Sequence, residues 1–196
     1  MCPMIGYYTQ EEVEALGFAS IGKNVLISRT STIYNLAHIR IGSNVRIDNF
    51  CVIAISASAI LSIGDYSHIS AFNFINGMGN ITLHDYFTTA PYVRIFSSSD
   101  DYSGEHMTNT MVPRAAIGTV SAPVVAEKHV IIGTGSTVLQ GVTLAEGTAV
   151  AAHALVTKST EPFTLVGGIP ARKLKDRSRK LLELERLYCS NKISNS

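Results

Sequence analysis

Residues 126–156 read Ala126-Glu127-Lys128-His129-Val130-Ile131-Ile132-Gly133-Thr134-Gly135-Ser136-Thr137-Val138-Leu139-Gln140-Gly141-Val142-Thr143-Leu144-Ala145-Glu146-Gly147-Thr148-Ala149-Val150-Ala151-Ala152-His153-Ala154-Leu155-Val156. Every sixth residue is apolar: Ala126, Ile132, Val138, Leu144, Val150 and Val156. Working back along the chain, the same step links Ile21, Ile27 and Ile33, then Ile41, Ile47 and Ile53, then Ile63, Ile69 and Ile75, then Leu83, Thr89 and Ile95. Sixteen of these eighteen positions are Ile, Leu or Val, against about four or five expected from composition. An even step keeps side chains on one face of an extended strand and fits no helix of period 3.6. Four residues after most of these positions sits a second, smaller side chain: Val25, Ser31, Ala37, Val45, Cys51, Ser67, Val93, Val130, Ser136, Val142, Thr148 and Ala154. Short extended segments that bend every six residues predict a coil of three facets, packed solid inside.

The wider composition agrees. The chain has 196 residues, 46% hydrophobic and only 16% charged, enough apolar surface to exclude general disorder. A net charge of +1 argues against a general nucleic-acid or anionic-membrane binder. No apolar run reaches the length of a membrane span, and the N-terminus carries no signal-peptide pattern. Three scattered cysteines, Cys2, Cys51 and Cys189, fit no metal or redox spacing. The expectation is a soluble cytoplasmic protein with no metal.

Ile21-Gly22-Lys23-Asn24-Val25, Ile41-Gly42-Ser43-Asn44-Val45 and Ile132-Gly133-Thr134-Gly135-Ser136 resemble the hexapeptide repeat of left-handed parallel β-helix acyltransferases. The likeness runs over about residues 20–175 and is nearest the galactoside and maltose acetyltransferase branch. It implies a mainly β fold, a left-handed parallel β-helix, assembled as a homotrimer. Residues 1–19 form an N-terminal helical cap, with Thr9 and Glu12 in capping-box spacing and a stop at Gly17. Residues 20–165 form the coil, and 166–196 a C-terminal segment and helix, with Leu174, Leu181, Leu184 and Leu187 at helical spacing and 191–196 frayed. Residues 97–122 break the repeat and project as a loop, which in the resembling family helps form the acceptor pocket with a neighbouring subunit.

The block ending Val166-Gly167-Gly168-Ile169-Pro170-Ala171-Arg172 resembles the C-terminal block of those acetyltransferases. By that resemblance acetyl-coenzyme A is the co-substrate. Thr134 and Ala152 line its pantetheine arm, Thr157 and Lys158 lie near the adenine, and Arg172 and Lys175 meet the phosphates.

Acyl transfer needs a base near the acceptor and donors for the oxyanion. The family places a histidine after the strand preceding the projecting loop, where this chain has Asp100. An ordinary carboxylate is a poor base for a sugar hydroxyl. A nearby histidine takes over, the acceptor is an amine, or the protein is inactive. We assign His68 as base, Asp100 as the group orienting it or the acceptor, and His106 in reserve, with Ser70 and Asp101 contacting the acceptor. His129 and His153 point outward by register and read as surface residues, while Asn73 and Cys51 point inward. Histidines spread over different coil phases do not converge on a metal. The main reading is O-acetyl transfer to a sugar or nucleotide-linked sugar in surface-polysaccharide metabolism. The alternatives are N-acetyl transfer to a nucleotide-linked amino sugar, and a non-catalytic binding or scaffold protein.

Overall fold

A computed structural model describes residues 6–194, with side chains as far as Tyr188. Three parallel sheets wind around one core, and each turn of the chain visits them in the same order. The first face carries Ser20–Ile21, Ile39–Ile41, Leu61–Ile63, Ile81–Leu83, Val124–Ala126 and Thr143–Leu144. The second runs from Leu26–Ile27 through Arg46–Ile47, His68–Ile69, Thr88–Thr89, Ile131–Ile132 and Ala149–Val150 to Thr164–Gly168, with Ala171–Asp176 added antiparallel. Thr32–Tyr34, Val52–Ile55, Phe74–Gly77, Arg94–Phe96, Thr137–Val138 and Leu155–Val156 make the third.

The eighteen positions read from the repeat fall into three vertical rows. Ile27, Ile47, Ile69, Thr89, Ile132 and Val150 pair directly, one strand above the next. Ile33, Ile53, Ile75, Ile95, Val138 and Val156 do the same on the third face. All but the first-coil Ile21 and Ile33 are buried. Two details depart from the sequence reading. Ala37 is exposed in a short 3-10 turn, and Ile39 takes the inward place beside Ile41. Phe87, fully buried, fills an inward slot that elsewhere holds a small residue.

Two corners are turned by residues with positive φ: Asn24, Asn44, Tyr66, Tyr86 and His129 between the first and second faces, Phe50, Phe72, Tyr92 and His153 between the second and third. Left-handed backbone costs an L-residue about 1–2 kcal/mol. Asparagine tolerates it, and the aromatic corners recover part of it by stacking: Phe50 on Phe72 at 5.1 Å, Phe72 on Tyr92 at 4.8 Å, Tyr66 on Tyr86 at 5.1 Å and Tyr86 on His129 at 4.8 Å. Such pairs contribute about 0.5–1.5 kcal/mol beyond burial.

All departures from the six-residue step between Ile21 and Val156 sit at the third corner, between the third and first faces. The small ones run from Ile33 to Ile41, from Ile53 to Ile63 and from Ile75 to Leu83, and the large one from Ile95 to Ala126. The last is the projecting segment, whose stem is a hairpin pairing Ser98–Asp100 with Thr119–Ser121.

Helix α1 (Gln10–Ala15) starts with the expected reciprocal capping box between Thr9 and Glu12. Hydrogen bonding from Arg29 and from the Thr9 backbone holds the Glu12 carboxyl down at about 2. The Gln10 side chain binds Gly22 O and Val25 N, so α1 closes the backbone of the first coil while Val13 plugs its core. Helix α2 (Lys180–Ser194) behaves differently from the expected end cap. It lies along the first corner, with Tyr188 edge-on to Tyr66 and Glu185 bonded to His129 and Lys128. Leu174 belongs to the strand Ala171–Asp176 and not to this helix. Cys2, the side chain of Cys189 and the end of the expected frayed tail lie outside the described residues.

Replacing Ile132 or Ile69 with Ala should cost roughly 2–5 kcal/mol, the range for a buried Ile that leaves a cavity. Equilibrium urea unfolding reads this directly.

Candidate active site

The hairpin root is fixed to the coil below it. Ser97 N donates to Asn76 O at 3.0 Å and Ser97 Oγ to Gly79 O at 2.7 Å, while Ala122 N donates to Ser97 O at 3.1 Å. A Cβ on Gly77 would collide with Ser97 Oγ, so only glycine lets the root sit this low.

Further out, the adjacent acids Asp100 and Asp101 diverge. Asp101 accepts from Ser103 N and Oγ and from His106 N, and its Oδ2 lies 3.0 Å from His106 Nδ1. Hydrogen bonds from Ser103 and then from His106 hold its carboxyl far below the usual range. The His106 ring packs over Gly118, where a Cβ would meet it at 2.6 Å. Asp101 thus organises the loop. Asp100 is exposed, and among the described residues its carboxylate has no partner.

His68 lies outward on the second face, and its Nε2 is 2.8 Å from Asp48 Oδ2. Asp48 Oδ1 also accepts from Tyr7 Oη and Arg46 Nε, both at 2.6 Å. Burial works to raise the Asp48 carboxyl, yet the hydrogen bonds from Tyr7, His68 and Arg46 outweigh it and leave it lowered. The carboxylate beside His68 is therefore Asp48, not Asp100. In a triangular section the third corner lies opposite the second face, so one chain does not bring His68 or Ser70 to the hairpin. Asp48 lies in the coil before His68, two residues past Arg46, the partner in register with His68, so the repeat count does not single it out.

His129, expected at the surface, is covered by α2: its Nε2 lies 2.7 Å from Glu185 and its side chain is only 10% exposed. His153 stays exposed, its ring against Gly135. Cys51 is buried, which pushes its thiol up. Asn73 is buried too, and its Nδ2 donates to Ser70 O, Ala71 O and Ala90 O, tying adjacent coils together.

The residues expected to hold coenzyme A fall in two groups. Thr134 and Ala152 stack at the second corner, where Thr134 Oγ1 donates to Pro91 O and a Cβ on Gly133 would meet Ala152 N at 2.6 Å. Lys158 and Arg172 share a cleft of about 330 Å³ at the C-terminal end, with Val156, Thr160, Glu161 and Lys173 also on its walls. Thr157 and Lys175 are exposed close by in sequence but do not line that cleft. Lys173 binds Glu161 at 2.8 Å and Asp176 at 2.9 Å, which raises its ammonium well above the usual value. The cleft's carboxylate is thereby paired, leaving Lys158 and Arg172 for an anion. Among the described residues no group of three or more His, Cys, Asp or Glu is placed to hold a metal ion, and no helix is long and apolar enough to cross a membrane.

Because Asp48 titrates lower folded than unfolded, its stabilisation is present above the unfolded value of about 3.9 and lost as pH falls through the folded one. Asp48→Asn should lose about 1–3 kcal/mol at pH 7, the scale of hydrogen bonds to a charged group. Urea midpoints should converge with the unaltered protein only once the pH falls below the folded value.

No family model matches the chain. It is 41% identical over 192 residues to dTDP-4-amino-4,6-dideoxy-D-glucose acyltransferase of Escherichia coli, covering 98% of this chain and 100% of that one. Among solved structures it superposes on AntD, an N-acyltransferase from Bacillus cereus in complex with dTDP and 3-hydroxybutyryl-CoA, with TM-score 0.90, 38% identity, and coverage of 98% and 100%. A variant of that enzyme in complex with dTDP-4-amino-4,6-dideoxyglucose and coenzyme A matches with TM-score 0.89, 38% identity, and coverage of 96% and 99%. These activities correspond to the N-acyl alternative rather than to O-acetyl transfer. With its repeat, its three-faced coil and a match along its whole length, the chain belongs to the hexapeptide-repeat, left-handed β-helix acyltransferases, in the branch that includes dTDP-4-amino-4,6-dideoxy-D-glucose acyltransferase.

Proposed function

We propose that the chain transfers an acyl group from coenzyme A to the amine of a dTDP-linked 4-amino-4,6-dideoxy sugar. The whole-length match to an enzyme of that activity carries the reading, and the unpaired Asp100 supports it. The amine attacks the thioester carbonyl, the C–N bond forms, and the C–S bond breaks as the thiolate leaves. The nitrogen is cationic while attached to the tetrahedral carbon, and far more acidic there than as a free ammonium. A carboxylate is then an adequate proton acceptor, whereas a hydroxyl acceptor must be deprotonated during attack and calls for a stronger base. The same negative charge attracts the acceptor's ammonium form, which gives up one proton to solvent to become the attacking amine.

Thr134 and Ala152 would pass the pantetheine arm along the second corner, where small side chains allow close backbone approach. Thr157 and Lys158 would lie near the adenine and Arg172 and Lys175 near the phosphates. The proposed location is the cytoplasm, which supplies both co-substrates, and the proposed context is surface-polysaccharide metabolism.

A homotrimer completes this reading, because it sets the hairpin of one subunit against the second face of the next. Asp100 then meets His68 and Ser70 across the interface. His68, its Nε2 held by Asp48, presents Nδ1 as the base that relays the proton, and His106 stands beside it on the hairpin with Nε2 exposed.

Thiol release from acyl-coenzyme A should depend on the dTDP-amino sugar and be absent with the corresponding 4-hydroxy sugar. Asp100→Asn and His68→Ala should each lower turnover about a hundredfold, the lower end for a general base. Mixed trimers of these two variants should regain part of the activity, since some interfaces then pair an intact Asp100 with an intact His68. No recovery in mixed trimers would remove the shared site, and a loss only in His106→Ala would move the base to the loop.

A further inference from the structure

The carboxylate beside His68 is also reached from the N-terminal segment. Residues 6–8 lie against the open edge of the first coil, where Tyr8 N donates to Ile27 O at 2.9 Å, Arg29 N donates to Gly6 O at 3.2 Å, and Tyr7 bridges Ser28 antiparallel. They continue the second face by one short segment before Leu26–Ile27. From there the Tyr7 phenol extends past the first coil to Asp48, forty-one residues further on. Asp48 is thereby bonded on both oxygens: Oδ1 accepts from Tyr7 Oη and Arg46 Nε, and Oδ2 faces His68 Nε2. The Asp48 side chain is only 14% exposed, so water screens these contacts little. The Arg46 guanidinium also stands 5.3 Å from the centre of the Tyr7 ring. Burial, and then the neighbouring carboxylate, push the Tyr7 phenol up, so it remains a donor. An ionised carboxylate only accepts, and His68 Nε2 must therefore carry its proton to bond there. The remaining neighbours of His68 add no charge to it. Thr88, its register partner in the next coil, is neutral, and Asp65 accepts from Ser43 N at the first corner.

We propose that Tyr7 and Arg46 are positioning residues for the acyl transfer, acting through Asp48 to present His68 as a neutral base with one fixed tautomer. The proposal rests on the acceptor reading above, which makes His68 Nδ1 the proton acceptor. An imidazole on a lone carboxylate gains a fixed tautomer, but it also gains a strong attraction for a second proton. A ring already protonated cannot act as a base. Arg46 offsets the formal charge of Asp48, and Tyr7 takes up part of its hydrogen-bonding capacity. The tautomer is kept while the pull towards imidazolium is weakened. This compensation counts for more in the proposed trimer, where Asp100 arrives across the interface and brings a second carboxylate to the same ring. The N-terminal segment is then more than an end cap, since it delivers a hydroxyl to the group that holds the base.

The test follows the His68 ring by nitrogen NMR on the assembled protein, assigned by its loss in His68→Gln, alongside the pH dependence of turnover with acyl-coenzyme A and the dTDP-amino sugar. In the unaltered protein the neutral ring should hold its proton on Nε2. Asp48→Asn, whose amide can donate to Nε2, should move that proton to Nδ1 and lower kcat about tenfold or more at every pH, with KM nearly unchanged. Tyr7→Phe and Arg46→Met should keep the tautomer but move both the ring titration and the acid limb of kcat upward by about half to one pH unit. Turnover at neutral pH then falls about three- to tenfold, the same shift read as a rate, and recovers in alkaline buffer. A merely structural role would lower kcat across the whole range, and alkali would not restore it. An unshifted ring titration in both variants overturns the proposal, and if His68→Ala still loses turnover the acceptor reading stands. Full turnover in His68→Ala removes the base assignment and the proposal with it. Should Asp48→Asn or Arg46→Met unfold, Tyr7→Phe decides, because it removes one hydroxyl and no packing.

Discussion

Everything in this molecule depends on parallel strands stacked without slippage, each coil placed one strand spacing above the last. The side chain at a given corner or facet then meets its own kind in the next coil, at a distance fixed by backbone hydrogen bonding. The ring separations of 4.8–5.1 Å in the corner ladders are close to that spacing. A corner residue forced into left-handed backbone is costly singly. Stacked on a like residue it gains contact on both sides, so aromatic rings occupy positions where glycine would be conformationally cheaper. The inside works the same way, since a row of Ile on Ile leaves no step between coils for a cavity to open.

Such a coil tolerates irregularity only where it does not break a row. Two corners keep the six-residue step throughout and carry the ladders, so all the extra chain emerges at the third. Concentrating the insertions there stacks an uncharged groove, lined by Tyr34 and Asn76, directly beneath the hairpin, and puts both on the edge opposite His68 and Ser70. A single coil can therefore build a neutral groove and an acidic hairpin at one corner, but it cannot fold that hairpin across its own section to reach the second face. The separation is a consequence of the fold, and a neighbouring subunit is the simplest way to close it.

Much of the fold was legible because its physics is periodic. The eighteen inward positions come from counting alone, and the Thr9–Glu12 cap from a local pattern. What failed is informative. Ala37 kept the count but not the face, because the corner insertion after Ile33 resets the phase before Ile39. Leu174 kept a helical spacing with Leu181 while belonging to the strand that caps the second face. His129 looked outward by register, yet a helix fifty-six residues later returned to cover it. Counting reports where a side chain leaves the coil, not what later packs there. The same limit hid Asp48 behind His68, because the residue in register with His68 one coil earlier is Arg46.

The acceptor chemistry shows how one residue type reorganises a site. A histidine on the hairpin would combine base strength and reach in one side chain. With Asp100 there, the hairpin supplies charge and reach, and an imidazole must come from elsewhere or be dispensable. Among the described residues three imidazoles sit on carboxylates, His68 on Asp48, His106 on Asp101 and His129 on Glu185, and Asp100 is left as an unpaired acid beside the second of them. Asp101 is drawn into the loop by Ser103 and His106, so it cannot substitute for its neighbour without unmaking the turn that presents it. An exposed and unpaired carboxylate suits the proposed amine acceptor, which can be drawn in as a cation, gives up one proton to become nucleophilic, and loses a second after attack. It gives much less to a hydroxyl, which carries no charge to attract and must lose its proton earlier. By its charge, the hairpin thus favours the amine of the proposed acceptor over a hydroxyl.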